Sequence, residues 1–433
     1  MRLSTGLLRD PQVRAWALYD FANSAFATTV MAGFFPLFFK QYWSSGVDAS
    51  VSTSRLGIAS AAASTLILVL APLLGALADA GSYRKCFLGL FALLGVVATA
   101  SLYFIAQGQW LWALIGLVLG LIGFSGANIF YDSLLPSITK TEHFDSVSAI
   151  GFSLGYLGGG LLFAVDVLLL LRPHWFGITD AATAVRLAFL SVAIWWLVFS
   201  LPLLRQVRET GNRQAIGLPG AGKLAWQRLR GTFSELRKLK AVTTFLIAYW
   251  LYIDAVDTIV RMAIDYGLSI GLQSNGLILA LLITQFVSFP AALVFGVLGK
   301  RIGPKAGILI GLSVYVAASA WAAFIQHSWE FYALAAAIGL VQGGVQSLSR
   351  SLFARLVPAD RPAEYFGFYN MLGKFAAIFG PLLIAVTASL TSNPRIAMSS
   401  IVLLLLAGML LLWRVNTEQG ARQALMSAAD SRV

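Results

Sequence analysis

The nine residues from Trp16 to Ser24 read WALYDFANS, and the nine from Trp250 to Thr258 read WLYIDAVDT. Laid together, Trp16 falls on Trp250, Asp20 on Asp254, Asn23 on Asp257 and Ser24 on Thr258. Both stretches sit in long apolar runs, so the match describes a duplicated apolar element with a carboxylate inside it. Two further echoes keep the same order: GALADAGSYRK (75–85) returns as GVLGKRIGPK (296–305), and IGFSLGYLGGG from Ile150 returns as FGFYNMLGK from Phe366. Each is weak alone. Three in order, at offsets of about 215 to 235 residues, predict two homologous halves, because self-similarity at a fixed offset marks a repeated architecture.

The surrounding chain says what the halves are made of. Of 433 residues, 58% are hydrophobic and 12% charged, and mean hydropathy is +0.78. A soluble domain carries about 25% charged residues, so a chain this poor in charge cannot clothe itself against water, and its surface faces lipid. A bilayer core of about 30 Å takes about 20 apolar residues per helix. Twelve runs qualify: 15–39, 55–78, 86–106, 110–135, 147–171, 184–204, 242–264, 275–299, 306–326, 331–353, 365–389 and 396–413. The fold class is therefore an all-α membrane protein, twelve transmembrane helices in two pseudo-symmetric six-helix halves. The first span opens with Asp10 as a cap and Pro11 in the first turn, and its length and internal Asp20 and Asn23 read as a retained span rather than a cleaved signal.

The net charge of +12 does not signal a nucleic-acid partner. With the N-terminus in the cytoplasm, 24 of the 31 Lys and Arg residues fall on the cytoplasmic side and five on the other, the asymmetry the positive-inside rule describes. Both termini and the 205–241 loop are thus expected in the cytoplasm, the membrane being the inner membrane if the protein is bacterial. The expected organisation is an N-terminal half (1–204), a cytoplasmic linker (205–241), a C-terminal half (242–414) and a cytoplasmic tail (415–433). In the linker, Trp226, Leu229, Phe233 and Leu236 share helical spacing among basic residues, as in a helix lying on the membrane surface. GLPGAGKL (217–224) nearly matches a phosphate-binding loop, but lacks the Ser or Thr that holds magnesium and follows no strand, so nucleotide hydrolysis is not expected. Cys86 stands alone and the three histidines are scattered; no metal and no cofactor is expected, and the chain is read as a monomer.

Charged groups inside a bilayer are costly, by about 2.5–3.5 kcal/mol at the centre, and need a partner or a wet cavity. Here they are Asp20, Asp132, Asp166, Asp254, Asp257, Arg261 and Lys374, with Asn23, Asn128, Gln285, Gln342, Gln346 and Asn370 as polar company. Helical spacing puts Trp16, Asp20, Asn23 and Ala27 on one stripe, and Trp250, Asp254, Asp257 and Arg261 on another. Arg261 takes either aspartate as counter-ion, and Asp257 is the nearer. Asp20 and Lys374 have no opposite charge nearby in sequence and could pair, structurally or functionally. Asp132 and Arg350 fall near helix ends, where gating, end pairing and substrate contact remain open. Asp166 reads as interfacial, and Trp43, Trp110 and Trp175 as members of the aromatic belts.

GALADAGSYRK resembles the loop motif between spans 2 and 3 of the major facilitator superfamily. Together with WALYDFANSAF, NIFYDSLLP (128–136), GYLGGG (155–160), LIAYWLYIDAVDT (246–258) and the stretches GGVQSLSRSLFARLVP and AEYFGFYNMLGKFAAIFGP within 343–381, it is similar to the vacuole-effluxer-like family of that superfamily, over nearly the whole chain. The resemblance implies the major facilitator fold and solute transport. It also implies a latch on the inward side formed by Asp79, Arg84 and Lys85, whose second copy departs by having Lys300 where the acid would be. It implies that spans 1, 4, 7 and 10 line the central cavity, bringing Tyr131 and Asp132, Tyr252, and Gln342, Gln346 and Arg350 toward the two stripes. Fungal members are associated with releasing amino acids from the vacuole, so amino-acid efflux is the substrate expectation, with export or import of another small metabolite, drug or peptide as the alternative.

Nothing in the sequence makes a nucleophile, an acid–base pair or a metal centre at a membrane edge, so no catalytic residue is expected and the chain is read as a non-enzyme. A solute sensor that does not transport is the alternative from another class. A secondary transporter working by alternating access, coupled to H+ or Na+ through a membrane carboxylate, is the leading expectation, and its partners are a small solute and the lipid bilayer. On that reading Asp20 and Asn23 face Asp254 and Asp257 across the cavity, Arg261 and Lys374 neutralise two of the three acids, and Asp254 is left to bind the cation or a substrate ammonium.

Overall fold

The computed structural model of the chain describes residues 6–209, 239–269, 274–358, 360–391 and 394–430. The linker helix and the phosphate-loop look-alike both lie in 210–238, outside the described residues. Twelve long helices follow one another: α1 (Pro11–Trp43), α2 (Ala49–Gly81), α3 (Arg84–Ser101), α4 (Trp110–Ser133), α5 (Phe144–Leu171), α6 (Ala181–Gln206), α7 (Lys240–Ser269), α8 (Ser274–Ile302), α9 (Pro304–Ala322), α10 (Ser328–Leu356), α11 (Pro362–Thr391) and α12 (Arg395–Arg414). Eleven are long and apolar enough to cross a membrane, and α11, with Pro381 inside it, contributes the shorter apolar stretch Phe379–Thr391. The chain is a multi-pass integral membrane protein.

The ends are set by local chemistry. Asp10 accepts the N–H of Gln12 at 2.8 Å and Pro11 opens the first turn of α1, where a missing N–H is harmless. Asp180 caps α6 through Thr183. α1 runs further than the expected 15–39 because it continues into two π-helical stretches, Phe26–Phe34 and Phe39–Trp43. Trp43 is consequently not in an aromatic belt. It is fully buried against Phe35, Phe38 and Phe189 and donates its Nε1–H to the Ile105 carbonyl at 3.2 Å. Residues 415–433, the expected tail, include a further helix, α13 (Thr417–Asp430), whose Gly420 meets Leu356 and Ala241 at the ends of α10 and α7.

Within the halves, α1 packs on α5 and α6, and α7 on α11 and α12. Between the halves, α2 packs on α11 and α5 on α8 and α10. These crossings are tight at the end that carries the basic loops. A Cβ on Gly75 would sit 2.2 Å from the Ala363 carbonyl oxygen, so α2 and α11 approach there at a distance only glycine permits. Hydrogen bonds join the halves at this basic end and also deeper, where Gln285 of α8 donates to Thr28 of α1 at 2.7 Å.

Candidate functional site

Arg350 of α10 is 2% exposed and is the hub of the interface. Its guanidinium lies 3.1 Å from Asp132 of α4 and 3.5 Å from Asp20 of α1. It also donates to the Ser148 hydroxyl at 2.9 Å and the Ser148 carbonyl at 3.0 Å on α5. The rings of Trp16, Phe152 and Tyr131 stand 4.7, 4.3 and 5.2 Å from its Cζ. A buried guanidinium is tolerated only with its hydrogen bonds and charge answered, and here an arginine from one half is answered by three helices of the other. The space exists because Gly151 of α5 has no side chain: a Cβ there would lie 3.0 Å from the guanidinium and 2.9 Å from Trp16.

The acids are themselves positioned. Tyr131 donates its hydroxyl to Asp20 at 3.0 Å and stacks on Trp16, which donates its Nε1–H to the Tyr131 carbonyl at 2.9 Å. Asn370 of α11 donates to Asp132 at 3.3 Å. Asn23 donates to Asn128 at 2.6 Å, and Tyr156 to Gln346 at 2.8 Å. The repeat extends to the hub: Asp132-Ser-Leu in α4 and Arg350-Ser-Leu in α10 stand in matching register, so two repeat-related residues of opposite charge meet at the junction of the halves. That register was the sequence signal for this ion pair. The sequence left Asp20 with Lys374 as its candidate partner; among the described residues its charged partner is Arg350, more than three hundred residues away in the chain. Lys374 lies in α11 with its side chain outside the described residues.

The C-terminal stripe is arranged differently. Asp254 is 1% exposed, and both its oxygens accept the backbone N–H of Gly380, each at 3.0 Å, with Thr258 at 3.3 Å. It is therefore not the acid left without partners. Pro381 interrupts the helical ladder of α11 just after Gly380, and the carboxylate serves the backbone at that break. Asp257 lies 3.8 Å from Arg261, both partly exposed. Tyr252 is fully buried and bonded to Ser349 at 2.7 Å, under Gly408 of α12, so the structure places it inside its own half. Gln342 is 8% exposed, and its Oε1 finds no partner among the described residues. Asp166 is not interfacial: it is 2% exposed between α1 and α6.

At the basic end, Arg84 bonds Asp79 at 2.7 Å and Ser137 at 3.3 Å, and Asp79 accepts the N–H of Glu364 at 2.8 Å. Glu364 lies in the first turn of α11, where a negative charge is favoured by the helix dipole. Lys85 donates from Nζ to the Val207 carbonyl at 2.6 Å, and the backbone N–H groups of Lys85 and Arg84 reach Glu209 at 2.7 and 3.3 Å. The opposite corner does not use the 8–9 loop. There Asp145, at the start of α5, accepts from Ser351 at 2.5 Å and Arg355 at 2.7 Å on α10. Sequence reading missed Asp145, because an acid in a first helical turn looks like an ordinary dipole partner.

The model of the family described as Vacuole effluxer Atg22 like matches residues 49–144 and 139–425. The "Uncharacterized MFS-type transporter YxiO" of Bacillus subtilis is 39% identical over 94% of this chain and 95% of that protein. Autophagy-related protein 22 of Yarrowia lipolytica is 27% identical over 66% of this chain and 54% of its own length, so the chain spans about half of that fungal relative. Among solved structures, the proton:xylose symporter XylE superposes with a TM-score of 0.71 over 95% of this chain and 96% of that one at 14% identity. The human organic anion transporter MFSD10 does so with a TM-score of 0.68 over 93% and 99% at 16% identity. At such identities the likeness shows the fold, which is the major facilitator fold.

Proposed function

Because the chain belongs to the Vacuole effluxer Atg22-like family of major facilitator transporters, we propose that it is a secondary transporter exporting a zwitterionic amino acid by alternating access. The observation that carries this reading is the Asp20–Arg350–Asp132 cluster. One guanidinium faces two carboxylates, so with both ionised the cluster holds one negative charge in excess, which a substrate ammonium can neutralise. The same guanidinium can take the substrate carboxylate in its planar fork. The aromatic faces of Trp16, Tyr131 and Phe152 add an apolar wall for a side chain.

The cluster also supplies a mechanism. In this structure its ion pairs cross between the halves, and the Asp79–Glu364 and Asp145–Arg355 contacts close the basic end below it. With that end in the cytoplasm, the described state is closed toward the cytoplasm. A substrate that takes Asp20 and Asp132, or Arg350, competes with the pairs holding the halves together. Binding would thus lower the cost of rocking one half against the other, the motion expected of two repeats around a central site.

The test is counterflow in proteoliposomes preloaded with a mixture of unlabelled amino acids and supplied with labelled ones singly. Trans-stimulated uptake of at least one amino acid is expected, and its loss in Arg350→Ala. If no amino acid exchanges but a sugar or organic anion does, the substrate class is wrong. If none of the three classes exchanges, the transport reading fails.

A further inference from the structure

Asp166 takes no part in the cluster, and its surroundings are unusual for a membrane carboxylate. It lies in α5, 2% exposed, inside the N-terminal half. Its Oδ1 accepts from Ser191 of α6 at 2.9 Å, while Ser191 is also hydrogen-bonded to the Ala188 carbonyl at 2.8 Å. Its Oδ2 is buried with no hydrogen-bond partner among the described residues. The hydroxyl of Thr29 on α1 adjoins the same carboxyl without a regular hydrogen bond to it. A buried carboxylate that faces only two hydroxyls has no counter-charge, a cost in a low-dielectric interior unless something positive is held there.

No charged side chain among the described residues supplies that something. Arg186 of α6 donates to the Tyr103 carbonyl at 2.6 Å, Arg172 at the end of α5 lies over the Trp175 ring, and Asp180 caps α6. Lys40 lies in the last turn of α1 and is not among the groups that act on the carboxyl. The facing groups are the hydroxyls of Thr29 and Ser191.

We propose that Asp166 and Thr29 form a site for a monovalent cation, a proton or Na+, shared between Asp166 Oδ2 and the Thr29 hydroxyl oxygen. α1 is π-helical over Phe26–Phe34, a local irregularity common at functional positions, and Thr29 sits within it. The adjacent residue, Thr28, accepts the Gln285 amide from the opposite half at 2.7 Å. Consecutive residues of one π-helical stretch therefore touch the cation site and the inter-half contact. Filling or emptying the site shifts Thr29, and with it the Thr28–Gln285 bond. That coupling rests on the transporter reading; the binding does not.

The full chain in lipid is titrated by infrared difference spectroscopy, in choline and then in Na+, with the proton and Na+ as the only probes. Wild type minus Asp166→Asn should show a carboxyl C=O band that appears and disappears with pH. Depletion of the band by Na+ at fixed pH identifies Na+ as a competing occupant; insensitivity to Na+ identifies the proton alone. Thr29→Val and Ser191→Ala, which keep the acid, should shift that band. Spectra that coincide for wild type, Asp166→Asn and Thr29→Val at every pH and in both salts would overturn the site. In proteoliposomes Asp166→Asn should keep exchange and lose gradient-driven accumulation at least about tenfold. Retained accumulation would overturn the coupling. A wild type without any transport would sink the transporter reading and leave the infrared result standing.

Discussion

Asp20 and Asp254 hold the same place in the repeat, yet one reaches across the interface between the halves and the other closes back on its own half. Asp20 meets Arg350 from the C-terminal half and the Tyr131 hydroxyl. Asp254 meets the Gly380 N–H and Thr258, both in its own half. The tryptophans four residues earlier diverge in step: Trp16 donates to the Tyr131 carbonyl, whereas Trp250 has no partner for its Nε1 among the described residues and packs edge-on against Phe379. Duplication placed the same side chains in both halves. What differs is the helix opposite, where α4 presents Asp132 and α10 presents Arg350. A carboxylate beside Arg350 becomes an inter-half tie, and its repeat mate, offered the Gly380 N–H just ahead of Pro381, becomes a backbone anchor.

The sharpest way to break this comparison is to remove the hub. Arg350→Gln leaves Asp20 and Asp132 buried without their cation, a loss that typically costs about 3–5 kcal/mol. Counterflow should vanish and the thermal midpoint should fall. Arg350→Lys should keep part of the stability but recover little transport, since an ammonium cannot reproduce the guanidinium fork. A variant without the arginine that transports normally would remove the basis for the cluster.

Next come the two aspartates themselves. Asp20→Asn should cut exchange by about tenfold or more, because it weakens the tie to Arg350 and changes the charge excess of the cluster. Asp254→Asn should chiefly cost stability, about 1–3 kcal/mol for a weakened charge-assisted bond to a buried N–H. Parallel exchange and unfolding measurements would show whether the two effects separate. Equal losses of exchange at equal stability would mean the repeat mates still share one role.

Much of this was readable in advance, and the remainder was not for definite reasons. The apolar runs, the charge asymmetry and the three echoes predict the fold, because lipid demands long helices and duplication leaves its offset behind. Asp20, Asp132 and Asn370 stand out as polar groups in apolar runs and Tyr131 through the family resemblance, and the structure brings these four to the inter-half junction, while Asn23 bonds to Asn128 within its own half. The partners were hidden. Arg350 is far from Asp20 in the chain, and no local spacing connects them. The bond from Gly380 to Asp254 is to backbone, which side-chain reasoning cannot see. Trp43 and Asp166 lie near span ends, and position along a span does not tell which side chains a neighbouring helix covers.

Smaller effects are expected at the basic-end corners. Asp79→Asn weakens one inter-half bond and Asp145→Asn weakens two, none of them made by the cluster's own side chains. Each should change the exchange rate a few-fold while leaving equilibrium substrate affinity within a few-fold, and the double variant should exceed the product of the two, since parallel ties couple. A collapse of affinity in either single variant would place that acid in the binding site instead.

The smallest effect belongs to a rim carboxylate with no part in the contrast. Asp180 caps α6, and the Thr183 N–H holds its carboxyl below the ordinary carboxylate range. A depressed folded value adds stability above the unfolded value, and that stability is lost as pH falls through the folded one. Asp180→Ala should therefore lower the thermal midpoint slightly near neutral pH, and not at all once the cap is protonated. An equal loss at both pH values would mean the cap acts through packing rather than charge.

The central claim, that Arg350 ties the halves together while Asp254 does not, is tested most directly by an inter-half distance at the basic end. Spin labels at Glu142 and Arg301, both exposed and on opposite halves, in a Cys86→Ser background, report it by pulsed electron resonance in lipid. The account predicts a predominantly short distance in the parent, a shift toward longer distances in Arg350→Gln and Asp20→Asn, and an unchanged distribution in Asp254→Asn. An unshifted Arg350→Gln distribution, or an equal shift in Asp254→Asn, would contradict it.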